Sequence, residues 1–142
     1  MSTLKVTNVK HETSGLNTLV FDNGGTSGGN GRVTTKGTIG EVSAVSYAST
    51  ITLDFRTANN FSMTLTGNVT LANPSNISAG QSGVLFITQD SNGSRTAAFG
   101  SYWDFSDGTA PTLSTGANQV DVIAWIARTN TNIAAHFIGN FS

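Results

Sequence analysis

The sequence predicts an all-β protein, a β-sandwich or jelly-roll-like domain preceded by an extended N-terminal arm. Three observations carry this expectation. Thr, Ser, Asn and Gly supply 67 of the 142 residues, and Thr favours strands while the other three favour turns. From Val42 onward apolar residues mostly recur at every second position, the period of a strand with one buried face. No segment sustains the 3.6-residue apolar period of an amphipathic helix.

The elements follow in order. Residues 2–22 hold two short apolar stretches, Leu4, Val6 and Val9, then Leu19, Val20 and Phe21. Neither is long enough to be stable alone, since an isolated hairpin is marginal in water. GGTSGGNGRVTTKG (24–37) places five glycines within eight residues and reads as a flexible linker. The expected organisation is therefore an arm and linker over 1–39 and a β-domain over 40–142. Within the domain Ile51, Leu53 and Phe55 alternate, as do Phe61, Met63 and Leu65. Gly83–Thr88 is apolar on both faces, as expected of a central strand. Asp90-Ser91-Asn92-Gly93 signals a hairpin, because Asn-Gly tolerates the positive φ of a tight turn, with Arg95–Phe99 returning alongside. Asp107-Gly108-Thr109-Ala110-Pro111 reads as a further turn. Two long strands, Gln119–Arg128 and Ile133–Phe141, close the chain around Thr129-Asn130-Thr131-Asn132.

Charge and composition exclude several functions. The net charge is −1 and only 11% of residues are charged, which leaves no electrostatic footprint for nucleic acid or an anionic membrane. Cysteine is absent, so no disulfide or thiolate metal site forms. No apolar run reaches the roughly 20 residues that span a bilayer, and the N-terminus lacks the apolar core of a signal peptide.

The chemistry-bearing residues are sparse. His11 falls in the arm and His136 on the polar face of the last strand, so neither has the company a nucleophilic triad requires. Asp104 and Asp107 in WDFSDG lack the spacing of a calcium loop and read as turn formers. Gly31 is followed by Arg-Val-Thr-Thr-Lys where a phosphate loop needs Lys-Ser/Thr directly. No catalytic residue, metal or cofactor is expected. One cluster, Phe99 to Phe105, stays open. Tyr102, Trp103 and Asp104 suit either a glycan-stacking surface or core and interface packing.

Specific strings add to this. NFSMTLTGNVTLANPSN (60–76), VLFITQDSNGSRTAAFGSYWDFSDGTAPTLS (84–114) and ANQVDVIAWIA (117–127) resemble a module of structural proteins in tailed-bacteriophage virions. STLKVTNVKHETSG (2–15) is similar to the starts of phage fibre and head-associated proteins. The resemblance implies a virion protein assembled in the host cytoplasm that works by assembly and adhesion. Within that class the arm favours an oligomeric capsid decoration (cement) protein, expected to be a homotrimer with the phage's major capsid protein as partner. Leu4, Val6, Val9, Leu19, Val20 and Phe21 would anchor it by adding strands to neighbouring subunits. A tail-fibre or tip protein adhering to a host-surface glycan through Tyr102, Trp103 and Asp104 is the rival. A cellular carbohydrate-binding module is the third reading.

Overall fold

A computed structural model describes residues 39–141. The arm residues Leu4, Val6, Val9, Leu19, Val20 and Phe21 lie outside the described residues.

The described chain is all-β, with one 3-10 turn at Ser106–Gly108. Its nine strands are β1 (Val42–Val45), β2 (Thr50–Ile51), β3 (Asn60–Leu65), β4 (Val69–Leu71), β5 (Ser82–Gln89), β6 (Ala97–Phe99), β7 (Trp103–Phe105), β8 (Val120–Ala127) and β9 (Ile133–Phe141). They form a six-stranded sheet of order β1-β3-β5-β8-β9-β7 and a three-stranded sheet of order β2-β4-β6.

The chain reaches this arrangement by winding. β1, β3 and β5 are parallel neighbours in the large sheet, and β2, β4 and β6 are parallel neighbours in the small one. Each turn of the chain thus lays one strand on each sheet before climbing to the next level. Parallel neighbours need a long crossover, and here the opposite sheet supplies it in place of a helix. The result is a solenoid of three coils, whose stability comes from each coil stacking on the next.

The hairpin expected at Asp90–Gly93 is not formed. β6 pairs in parallel with β4 in the other sheet instead of returning along β5. Two polar side chains turn the corner. Gln89, 1% exposed, accepts the Arg95 N–H at 2.9 Å and donates to the Arg95 carbonyl at 2.9 Å. Asp90 accepts the backbone N–H of Asn92 and of Gly93 at 3.1 and 3.0 Å. The place beside β5 is taken by β8, antiparallel from Ser82↔Ile126 to Thr88↔Val120. β5 is accordingly central, and β8 and β9 form the antiparallel pair expected from their period, closing at Ala127↔Ile133.

One core fills the space between the sheets. Phe61, Met63 and Leu65 of β3, Leu85 and Ile87 of β5, and Ile123 and Trp125 of β8 meet Ile51, Val69 and Leu71 from the small sheet. Phe55 lies at the centre of an aromatic stack, its ring centroid 4.1 Å from Trp125 and 5.8 Å from Phe61. Trp103 meets the same ring edge-on at 6.3 Å. Such geometries add to what area burial alone provides. Gly83 is required at its position, because a Cβ there would overlap the carbonyl of Asn59 and press on Trp125.

Candidate functional site

The polar residues that composition presents as turn formers do a second job. Three asparagines of the middle coil bond to its neighbours. Asn60 donates from Nδ2 to the Glu41 carbonyl at 3.5 Å and accepts the Val84 N–H at 3.3 Å. The Asn68 carbonyl accepts the Tyr47 hydroxyl at 3.0 Å, and its Oδ1 accepts the Thr96 N–H at 3.1 Å. Asn73 donates to Ser101 Oγ at 3.2 Å and accepts the Tyr102 N–H at 2.9 Å. At the corners, where sheet pairing stops, these amides satisfy backbone groups that would otherwise lack partners.

The aromatic segment is resolved by the same stacking. Trp103 is 6% exposed, and its Nε1 donates to the Ala72 carbonyl at 3.2 Å. Phe99 contacts Trp103 and Phe105 edge-on, with centroids 6.1 and 4.8 Å apart. Of the three candidates for a glycan surface, Trp103 therefore offers no ring face to a sugar. Tyr102 is half-buried and packs against the core. Asp104 accepts Asn132 Nδ2 at 3.2 Å and sits 3.9 Å from the Arg128 guanidinium. The three are neighbours in sequence, and β7 turns the middle one, Trp103, inward.

A polar depression of about 420 Å³ opens elsewhere, lined by Phe55, Arg56, Asn76, Ile77, Ser78 and Gln81. Asp54 organises its rim. It accepts Asn76 Nδ2 at 2.8 Å and the Arg56 N–H at 3.0 Å, and these bonds, the Asn76 one foremost, hold its carboxyl below the ordinary value. Gln81 is committed to the fold, donating to the Phe55 carbonyl and to Asn59. Arg56, with its side chain 76% exposed, holds its guanidinium 3.5 Å from the Asp54 carboxylate at the rim. Neither motif analysis nor periodicity singles out this depression, since its lining comes from two successive coils.

A second, shallow depression of about 440 Å³ lies on the large sheet, lined by Ser106, Ala124, Trp125, Ile126, Ala134, Ala135 and His136. His136 is exposed there beside Ser106, but no carboxylate lines the site, so the orienting acid of a triad is missing from it. Among the described residues no three His, Asp or Glu side chains gather as a metal site would require. Asp107 occupies the 3-10 turn with φ 59°. Asp90 is bonded by Arg95 Nε and by the second guanidinium nitrogen at 2.8 Å, and that pairing, with the two backbone donors, lowers its pKa.

The described residues thus form a two-sheet β-module whose successive coils are joined at the corners by asparagine side chains. Residues 47–131 match the sequence model of the family described as "Putative phage tail fibre C-terminal domain". The chain belongs to this family and is a structural component of a phage virion. No match was found among curated proteins or among solved structures.

Proposed function

We propose that the chain serves as a tail-fibre module that acts by adhesion and assembly and catalyses nothing. The observation that carries this is the extent of the family match, which runs from Tyr47 to Thr131 and so takes in every strand from β2 to β8. The match takes in seven of the nine described strands and leaves out β1 and β9. In this reading the ligand is a host-surface glycan and the contact lies at the polar depression, where Arg56, Asn76 and Ser78 present donors and acceptors suited to sugar hydroxyls. Assembly in the host cytoplasm accords with the absence of cysteine.

Competition for adsorption tests the proposal. Purified full-length protein added to host cells is expected to slow adsorption of the phage that carries it. Arg56→Ala should weaken that competition without altering the melting temperature. If the protein leaves adsorption unchanged and instead binds phage heads lacking it, it is a capsid decoration protein with the major capsid protein as partner.

A further inference from the structure

We propose that Asn92–Gly93 is a self-modification site, an asparagine able to lose its own side-chain amide, which the folded chain holds shut through Asp90. The chemistry is intrinsic to the dipeptide. The backbone nitrogen that follows an asparagine can attack the side-chain Cγ, and glycine, having no Cβ, leaves that approach open. The nitrogen gives its proton to hydroxide and bonds to Cγ. The Cγ–Nδ2 bond then breaks, and Nδ2 takes a proton from water and leaves as ammonia. Water opens the resulting cyclic imide at either carbonyl, giving aspartate or isoaspartate. No oxidant, metal or second protein enters the step. Among the described residues Asn92 is the one asparagine that precedes a glycine, and it is exposed.

The surroundings of the reacting nitrogen oppose the step. The Gly93 N–H donates to Asp90 Oδ1 at 3.0 Å and to the Asp90 carbonyl at 3.2 Å, so its proton leaves only when both bonds are given up. An anion at that nitrogen would also face the Asp90 carboxylate, and like charges disfavour it. The carboxylate is fixed in turn, since Arg95 reaches Oδ2 at 2.8 Å through a terminal nitrogen and both oxygens through Nε. Gly93 has little room to swing. It is buried with φ 66°, where a Cβ would overlap the Thr115 carbonyl, and the next N–H, of Ser94, donates to that same carbonyl at 2.9 Å. Giving up a hydrogen bond to a charged group slows a step by about tenfold or more, before this packing is counted. The product fits the corner poorly. Asn92 Nδ2 donates to Asp90 Oδ2 at 3.5 Å, and a carboxylate in its place sets like charges against each other. Conversion would therefore loosen the corner that carries the chain from β5 in one sheet to β6 in the other.

Peptide mapping by mass spectrometry of the full-length protein, incubated at neutral pH, tests the proposal. The amide at 92 should be lost in guanidinium chloride and at least about tenfold more slowly in the native protein. In the folded protein Asp90→Ala should speed the loss by about tenfold or more. Should that variant not fold, Asp90→Asn, which keeps the shape and removes the charge, should still speed it. Asn73→Ala, which loosens a different corner, should leave the rate at Asn92 unchanged. An amide at 92 that survives in the denatured chain, or one lost equally fast in the native protein, would overturn the proposal. So would a folded Asp90 variant that converts no faster than wild type, or an equal acceleration by Asn73→Ala. Conversion slowed by loss of Asp90 would give that carboxylate the opposite role, as the base that assists the attack. The outcome is independent of which receptor, or which part of the virion, the module meets.

Discussion

The wound section from β1 to β7 and the closing pair β8–β9 share one core but are held together by different means. In the closing pair the neighbours in space are neighbours in sequence, joined by the five residues 128–132 and aligned by backbone bonds. In the wound section the partners of each strand lie farther off, as Val42 is from Asn60 or Val69 from Ala97. Between its strands the coil adds side-chain amides at the corners to backbone bonds such as that from the Phe55 N–H to the Ser75 carbonyl. Local pairing needs little from side chains beyond a period of two, whereas stacking of coils needs particular residues at particular corners. The wound section should therefore be the more easily broken by single polar changes.

The largest effect is expected where the two sections meet. Phe55 stacks on Trp125 of β8 as well as on Phe61 of β3, so Phe55→Ala should cost about 3–5 kcal/mol, measured by urea denaturation. Next comes Gly83→Ala, which forces the corner at Asn59 to move and should cost about 1–3 kcal/mol. The same substitution at Gly139 of β9 meets mainly the Phe137 ring and an Asp121 oxygen, and should cost less. If Gly139→Ala proved the more damaging of the two, the contrast between sections would fail.

Asp121 offers a sharper comparison, since the closing pair also contains one buried polar anchor. It is 1% exposed and accepts the N–H of Ser114 at 2.8 Å and of Asn140 at 3.0 Å. Asp121→Asn turns an amide donor toward one of those N–H groups and should cost about 1–3 kcal/mol. Asn68→Ala and Asn73→Ala should each cost about 1 kcal/mol. Both should act on the wound section, raising amide hydrogen exchange at Thr96 and Tyr102 respectively while leaving β8–β9 protected.

The smallest effect is the acid limb of stability. Asp54 and Asp90 both have carboxyl pKa values lowered by hydrogen bonds, from Asn76 and from Arg95 respectively. A carboxyl lowered in the folded state contributes stability that is complete above its ordinary value of 3.8 and is lost as pH falls through the folded value. The melting temperature should therefore be flat with respect to these groups near neutrality and decline below that value. Asp90→Asn should make the decline shallower.

These differences also explain what could be read from the sequence. The closing strands were legible almost to the residue, Ile133–Phe141 as expected and Val120–Ala127 one residue inside the expected bounds, because antiparallel neighbours leave a local signature of alternation and turn. The central place of Gly83–Thr88 was legible from its two apolar faces. The winding was not. Asn60, Asn68 and Asn73 stand where turn residues would also stand, and nothing local distinguishes an amide that caps its own turn from one that bonds the next coil. The Asn-Gly at 92–93 misled for the same reason, since Gly93 has the expected positive φ of 66° in a corner instead of a hairpin. As for sites, β7 is three residues long, too short for alternation to reveal that Trp103 points inward. The polar depression is assembled from coils that no sequence window spans.

The central claim concerns position in the particle, and labelling tests it directly. Antibody raised against the full-length chain and imaged on intact phage particles should decorate the tail fibres and leave the head bare. Label distributed over the head shell, with none on the tail, would contradict the account.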